Sequence, residues 1–98
     1  MKVVHCKRES YDQYIGRPSL WGNMYSHLPG KADYHVATRE EAIECFERDM
    51  RIILESDREW FIETYLKPIA GKTLGCWCAP KACHGDVLIK LCREVGLI

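Results

Sequence analysis

Between residues 38 and 66 apolar side chains recur every three or four positions. Ala42, Ile43, Phe46, Met50, Ile53 and Leu54 fall on one face of a helix that begins at Thr38. Thr38 and Glu41 have the spacing of a capping box, in which each side chain satisfies a free backbone amide of the first turn. Ser56 and Glu59 repeat that spacing and predict the start of a second helix. Phe61, Ile62, Tyr65 and Leu66 form its buried side, and Pro68 is expected to stop it, because the residue before a proline disfavours helical angles.

Short apolar runs flank this helical block. Val3 and Val4 centre a first strand at residues 2–6. Thr73–Cys78 reads as another, entered through a turn at Gly71 and Lys72. Two strands joined by a right-handed helical crossover lie parallel in one sheet. Tyr14 and Ile15 suggest a further short strand. A last helix carries Val87, Leu88, Leu91, Cys92 and Val95 on one face and ends at Gly96, a helix C-cap. The 98 residues suffice for one domain and not two. The expectation is therefore a single α/β domain over residues 1–98: a short, partly parallel sheet with three helices packed on it.

Residues 16–37 read as a long loop, punctuated by Gly16, Pro18, Gly22, Asn23, Pro29 and Gly30. A loop of that length in a small domain is usually functional. In open α/β sheets ligands bind beyond the carboxyl ends of the strands. The chain after the first strands and the chain after Cys78 are both delivered to that end.

Charge and apolar content narrow the class of partner. Lys/Arg and Asp/Glu number 14 each. Residues 1–39 carry six basic against three acidic side chains, residues 40–66 three against nine, and residues 67–98 five against two. The basic ends hold the unusual motifs, which suits a small anionic ligand, plausibly a nucleotide or a sugar phosphate. Extended nucleic acid normally needs a wide basic stripe. The acidic helices are either a solvated face or a surface for a protein partner. No apolar run approaches the roughly 20 residues that span a bilayer, so no membrane role is expected. The start, MKVVHCKRES, lacks the apolar core of a secretion signal, which predicts a cytoplasmic protein with reduced thiols.

Six cysteines in such a chain are not expected to form a disulfide scaffold. Cys6, Cys45 and Cys92 lie in apolar-periodic segments and read as small buried hydrophobes. The stretch LGCWCAPKACHGDVL, residues 74–88, holds the other three. Alternation along a strand puts Cys76 and Cys78 on one face and Trp77 on the other. Cys83, His84 and Asp86 lie at the start of the last helix.

Three readings of this stretch compete. In the first, Cys76, Cys78, Cys83 and His84 are a zinc set, since three thiolates and an imidazole are an accepted combination. Their crowding within nine residues counts against it, so no metal is favoured over the alternatives. In the second, Cys83 is a nucleophile whose thiol is acidified by the helix N-terminus, His84 assists as acid or base, and Asp86 orients the histidine or caps the helix. In the third, Cys76 and Cys78 are simply small residues on a buried strand face. Cysteines separated by two residues, an arginine closing a loop after Cys78, and His-x-Glu are all absent. Those absences disfavour a thiol-disulfide oxidoreductase, a cysteine phosphatase and a zinc deaminase.

The earlier motif, YIGRPSLWGN from Tyr14 to Asn23, offers complementary chemistry. Gly16 permits an unusual turn, and Arg17 is a forked donor suited to phosphate or carboxylate. Ser19 and Asn23 add neutral hydrogen-bonding groups. Trp21 either stacks on a ligand or plugs the core. The expected pocket sets Gly16, Arg17, Ser19, Trp21 and Asn23 opposite Cys78, Cys83, His84 and Asp86. Whether it turns its ligand over is left open by these residues. The alternative is a zinc-stabilised, non-enzymatic interaction module.

Ile15-Gly16-Arg17-Pro18-Ser19 with Trp21-Gly22-Asn23, and Cys76-Trp77-Cys78-Ala79-Pro80 with Cys83-His84-Gly85-Asp86-Val87-Leu88, together resemble a family of phage and bacterial proteins catalogued as a domain of unknown function. The resemblance spans nearly the whole chain. It implies family membership and no particular reaction.

Overall fold

A computed structural model describes residues 1–98. Strand β1 (Lys2–His5) and strand β2 (Gln13–Tyr14) precede two further short strands, β3 (Tyr25–Ser26) and β4 (Tyr34–His35). Helix α1 (Arg39–Ser56) and helix α2 (Arg58–Trp60) follow. The α2 segment widens into a π-helical turn at Phe61–Leu66 and tightens into a 3-10 turn at Lys67–Ile69. Strand β5 (Thr73–Cys76) and helix α3 (His84–Glu94) complete the chain.

The main sheet has the order β1-β5-β2 and is parallel throughout. Val3 aligns with Leu74 and His5 with Cys76; on the other side Gln13 aligns with Leu74. The helical crossover between β1 and β5 thus delivers the parallel pairing that its handedness favours. Ile15, Phe46, Phe61, Leu66, Leu74, Leu88 and Leu91 form the centre of one core between sheet and helices.

Helix α3 packs close because residue 85 is glycine. A Cβ there would lie 2.6 Å from Val3 Cγ2 and 2.7 Å from Ile15 Cδ1. The helix ends as expected at Gly96, whose φ of +82° is a left-handed conformation that a β-carbon disfavours. Leu97 N–H reaches back to the Cys92 carbonyl and Gly96 N–H to Arg93, so the last turn closes as a Schellman motif.

Several boundaries differ from the sequence expectations. Thr38 Oγ1 accepts from Glu41 N–H at 3.0 Å, as a cap should. Ser56 caps nothing: it lies in the last turn of α1, its hydroxyl donating to the Ile52 carbonyl at 2.8 Å, and α2 starts after Asp57. Pro68 does not stop the helical run, because it sits in the first turn of a 3-10 segment, where its missing N–H costs little. The last strand ends at Cys76 rather than Cys78. The long loop contains a two-residue parallel ladder, in which Tyr25 pairs with Tyr34 and Ser26 with His35.

Side-chain bonds pin that loop to the helices. Asn23 is buried; its Nδ2 donates to the Ala42 carbonyl of α1 at 3.0 Å, and its Oδ1 accepts from Tyr25 N–H at 3.0 Å. Trp21 Nε1 donates to the Tyr65 carbonyl at 2.8 Å. The loop is thereby held over the carboxyl end of the sheet.

Candidate functional site

A cavity of about 220 Å³ opens where β5 ends, lined from both motif segments: Gly16, Arg17 and Asn23 on one wall, and Cys76, Trp77, Cys78, Cys83 and His84 on the other. Tyr25 and His27 from the loop, and Arg39 from the first turn of α1, close the remaining sides.

Three thiols meet at its floor. Cys76 is the last residue of β5, fixed by a bond from Cys6 N–H to its carbonyl at 3.1 Å. Cys78 sits in the turn that follows, where its carbonyl accepts from Lys81 N–H. Cys83 is the N-cap of α3. The Sγ atoms of these three all lie within 4.8 Å of one another, and Cys76 and Cys78 are 3.8 Å apart. The strand has already ended at Cys76, so the turn, and not strand alternation, brings Cys78 back to its neighbour.

The electrostatics single out Cys78. Hydrogen bonds from the Cys76 and Cys83 thiols, with the nearby Arg39 guanidinium, hold its thiol far below the ordinary range. The same sharing pushes Cys76 and Cys83 up, and burial adds to both. The lowered thiol is that of half-buried Cys78, while Cys83 is only 1% exposed. The helix N-terminus does reach Cys83, whose Sγ accepts from Gly85 N–H at 3.4 Å, but sulfur neighbours and burial outweigh that one bond.

His84 and Asp86 have structural tasks. The Ile15 carbonyl can only accept, so His84 Nε2 carries the proton and donates to it at 2.9 Å, tying α3 to the end of β2. Burial lowers the histidine's pKa and favours this neutral form. Its Nδ1 can then accept from the Cys83 thiol, 3.5 Å away, and lies outside the compact group of three sulfurs. Asp86 accepts from Cys83 N–H at 3.1 Å and completes a capping box built on a cysteine in place of serine or threonine.

The first motif is partly inside the site. Gly16 and Arg17 line the cavity, and Arg17 Nη1 donates to the Asn23 carbonyl at 2.7 Å, which fixes the guanidinium at the rim. Asn23 lines it too, but its side chain is spent on Ala42 and Tyr25. Trp21 packs against the core, as its core reading expects, and Ser19 Oγ is buried without a partner; neither lines the cavity.

Sequence reasoning missed Arg39 and Trp77. Arg39 is hidden in a helix start whose neighbours are acidic; its sign, opposite to Glu40 and Glu41, was the available signal. Trp77 lines the cavity, with its ring against Tyr14, His5 and Lys7.

No helix is long and apolar enough to cross a membrane. No solved structure matches the chain. An uncharacterised 12.4 kDa protein in the nrdA-td intergenic region of Enterobacteria phage T4 is 34% identical over 94 residues, covering 96% of this chain and 79% of the phage protein. Residues 3–94 match the family described as domain of unknown function DUF4326. Matched over nearly its whole length, and bearing both motifs on the walls of one cavity, the chain belongs to that family.

Proposed function

We propose that Cys76, Cys78 and Cys83 hold one thiophilic metal ion, zinc foremost, and that the cavity above it receives a small anionic ligand. The supporting observation is the approach of three sulfurs to within 4.8 Å of one another. Tetrahedral zinc with Zn–S bonds of about 2.3 Å needs neighbouring sulfurs about 3.8 Å apart, and Cys76 and Cys78 have that separation. Three like groups this close cannot all ionise without a cation, so metal binding displaces the shared protons. Three protein ligands leave the fourth position to solvent or ligand, the arrangement of zinc sites that act on something.

The anion follows from the charge balance. A divalent ion with three thiolates carries one negative charge. Arg17 and Arg39 reverse its sign, and no carboxylate lines the cavity. The site is then net positive in a partly open cleft, which favours a phosphate-bearing molecule.

Metal analysis of protein purified without chelator tests the first part. About one equivalent of zinc per chain is expected, and Cys78→Ala should remove it; content below about a tenth of an equivalent contradicts the metal site. A thermal-shift titration with inorganic phosphate tests the second. Phosphate should raise the midpoint by mass action, and Arg39→Ala should abolish the rise. No shift in the unmutated protein contradicts the anion site.

A further inference from the structure

Trp77 lines the cavity and is 55% exposed. An exposed tryptophan on its own is unremarkable; this one is held in place. Its Nε1–H donates to the Tyr14 hydroxyl at 2.9 Å, His5 meets its ring edge-on at a centroid distance of 5.7 Å, and Lys7 Nζ lies 5.5 Å from the ring centroid. The polar atom of the indole is thus satisfied within the protein. With Lys7 lying over part of one face, the remaining exposed ring is a fixed aromatic surface in a cavity also lined by Arg17 and Arg39.

The cavity is partly open to solvent, and Arg17, Arg39 and Trp77 all line it, so an ester whose phosphate meets the arginines shares the cavity with Trp77. The other aromatic wall, Tyr25, is only half-exposed: its ring stacks on Tyr34 at 5.2 Å and its hydroxyl donates to Asp49.

From this juxtaposition we infer that the ligand is a nucleotide, with its phosphate in the cavity between Arg17 and Arg39 and its base stacked on Trp77. The inference rests on the anion reading above and narrows it, separating a nucleotide from a sugar phosphate lacking an aromatic ring. Stacking on a protein aromatic tolerates every base, because each has a π-face, so little discrimination among bases is expected from Trp77.

Adenosine 5′-monophosphate and ribose 5-phosphate differ only in the base, and calorimetric titration of the purified protein with each tests the inference. The nucleotide should bind more tightly by between about 5-fold and about 150-fold, the usual range for one stacked base. Trp77→Ala should erase that advantage while leaving ribose 5-phosphate affinity within about twofold. Trp77→Phe, which keeps a ring, should retain part of it. Circular dichroism of both variants confirms that they fold. Equal affinity for the two ligands, or an advantage that survives Trp77→Ala, overturns the inference while leaving the anion site standing. Failure of ribose 5-phosphate, the nucleotide and inorganic phosphate alike to bind overturns the anion reading, and this inference with it.

Discussion

Asn23→Ala separates a structural role from a ligand-binding one. The side chain makes two bonds, Nδ2–H to the Ala42 carbonyl and Oδ1 from Tyr25 N–H, both at 3.0 Å, and the residue is 6% exposed. Truncation removes both. Each is worth about 1 kcal/mol net, and a donor left without a partner away from water costs about 1–3 kcal/mol more. Ala42 suffers less, because its carbonyl also belongs to α1. The expected loss is about 3–5 kcal/mol, a large fraction of the ~5–15 kcal/mol that holds a domain of this kind together. At ~4–8 °C per kcal/mol for a domain of about 100 residues, Tm should fall by roughly 12–40 °C. Urea unfolding followed by circular dichroism measures the loss directly, and an unchanged m-value would show that the unfolded state is not the cause. A loss below about 0.5 kcal/mol, typical of an indifferent surface position, would refute the clamp.

Two further outcomes follow from the packing. Gly85→Ala places a methyl group 2.6 Å from Val3 Cγ2 and 2.7 Å from Ile15 Cδ1. Overpacking of about 1–3 kcal/mol should exceed most of the ~1 kcal/mol that alanine gains over glycine in a helix, so thermal unfolding should show a net loss; a rise in Tm contradicts the close approach. Glu47 of α1 accepts from Lys90 of α3 at 3.0 Å and from Arg51 at 2.8 Å, and these cations hold its carboxyl below the ordinary value. A carboxyl depressed by folding stabilises above its unfolded pKa, about 4.3, and that contribution fades as pH falls through the folded value. Wild type should therefore exceed Glu47→Gln by up to about 1 kcal/mol at pH 7, with the gap closed near pH 2.5. Chemical denaturation at both pH values reads this, and a gap that persists in acid contradicts it.

The parallel core was legible because it rests on periodicity and crossover handedness. Val3–Val4, the face of α1 and the face of α3 each announce themselves by spacing. The widened turn at Phe61–Leu66 was not legible, since its apolar residues satisfy an α-helical pattern equally well. The β3–β4 ladder pairs two residues with two, too few to leave a pattern. In the site, the cysteine positions were visible and their meeting was not. Strand alternation puts Cys76 and Cys78 together, and they do meet, but through a turn that the pattern does not show. Cys83 looked like an activated thiol because a helix terminus is legible from sequence, while the two sulfurs that raise its pKa are assembled by a turn. Asn23 reads as a ligand contact because a loop asparagine after a glycine gives no sign of the helix carbonyl it will meet.

The three-sulfur centre is tested most directly by X-ray absorption at the zinc edge of protein loaded with one equivalent of the metal. Three sulfur scatterers at about 2.3 Å with one lighter atom at about 2.0–2.1 Å are the predicted shell. A shell of nitrogen and oxygen alone, or with a single sulfur, would contradict a centre built from Cys76, Cys78 and Cys83.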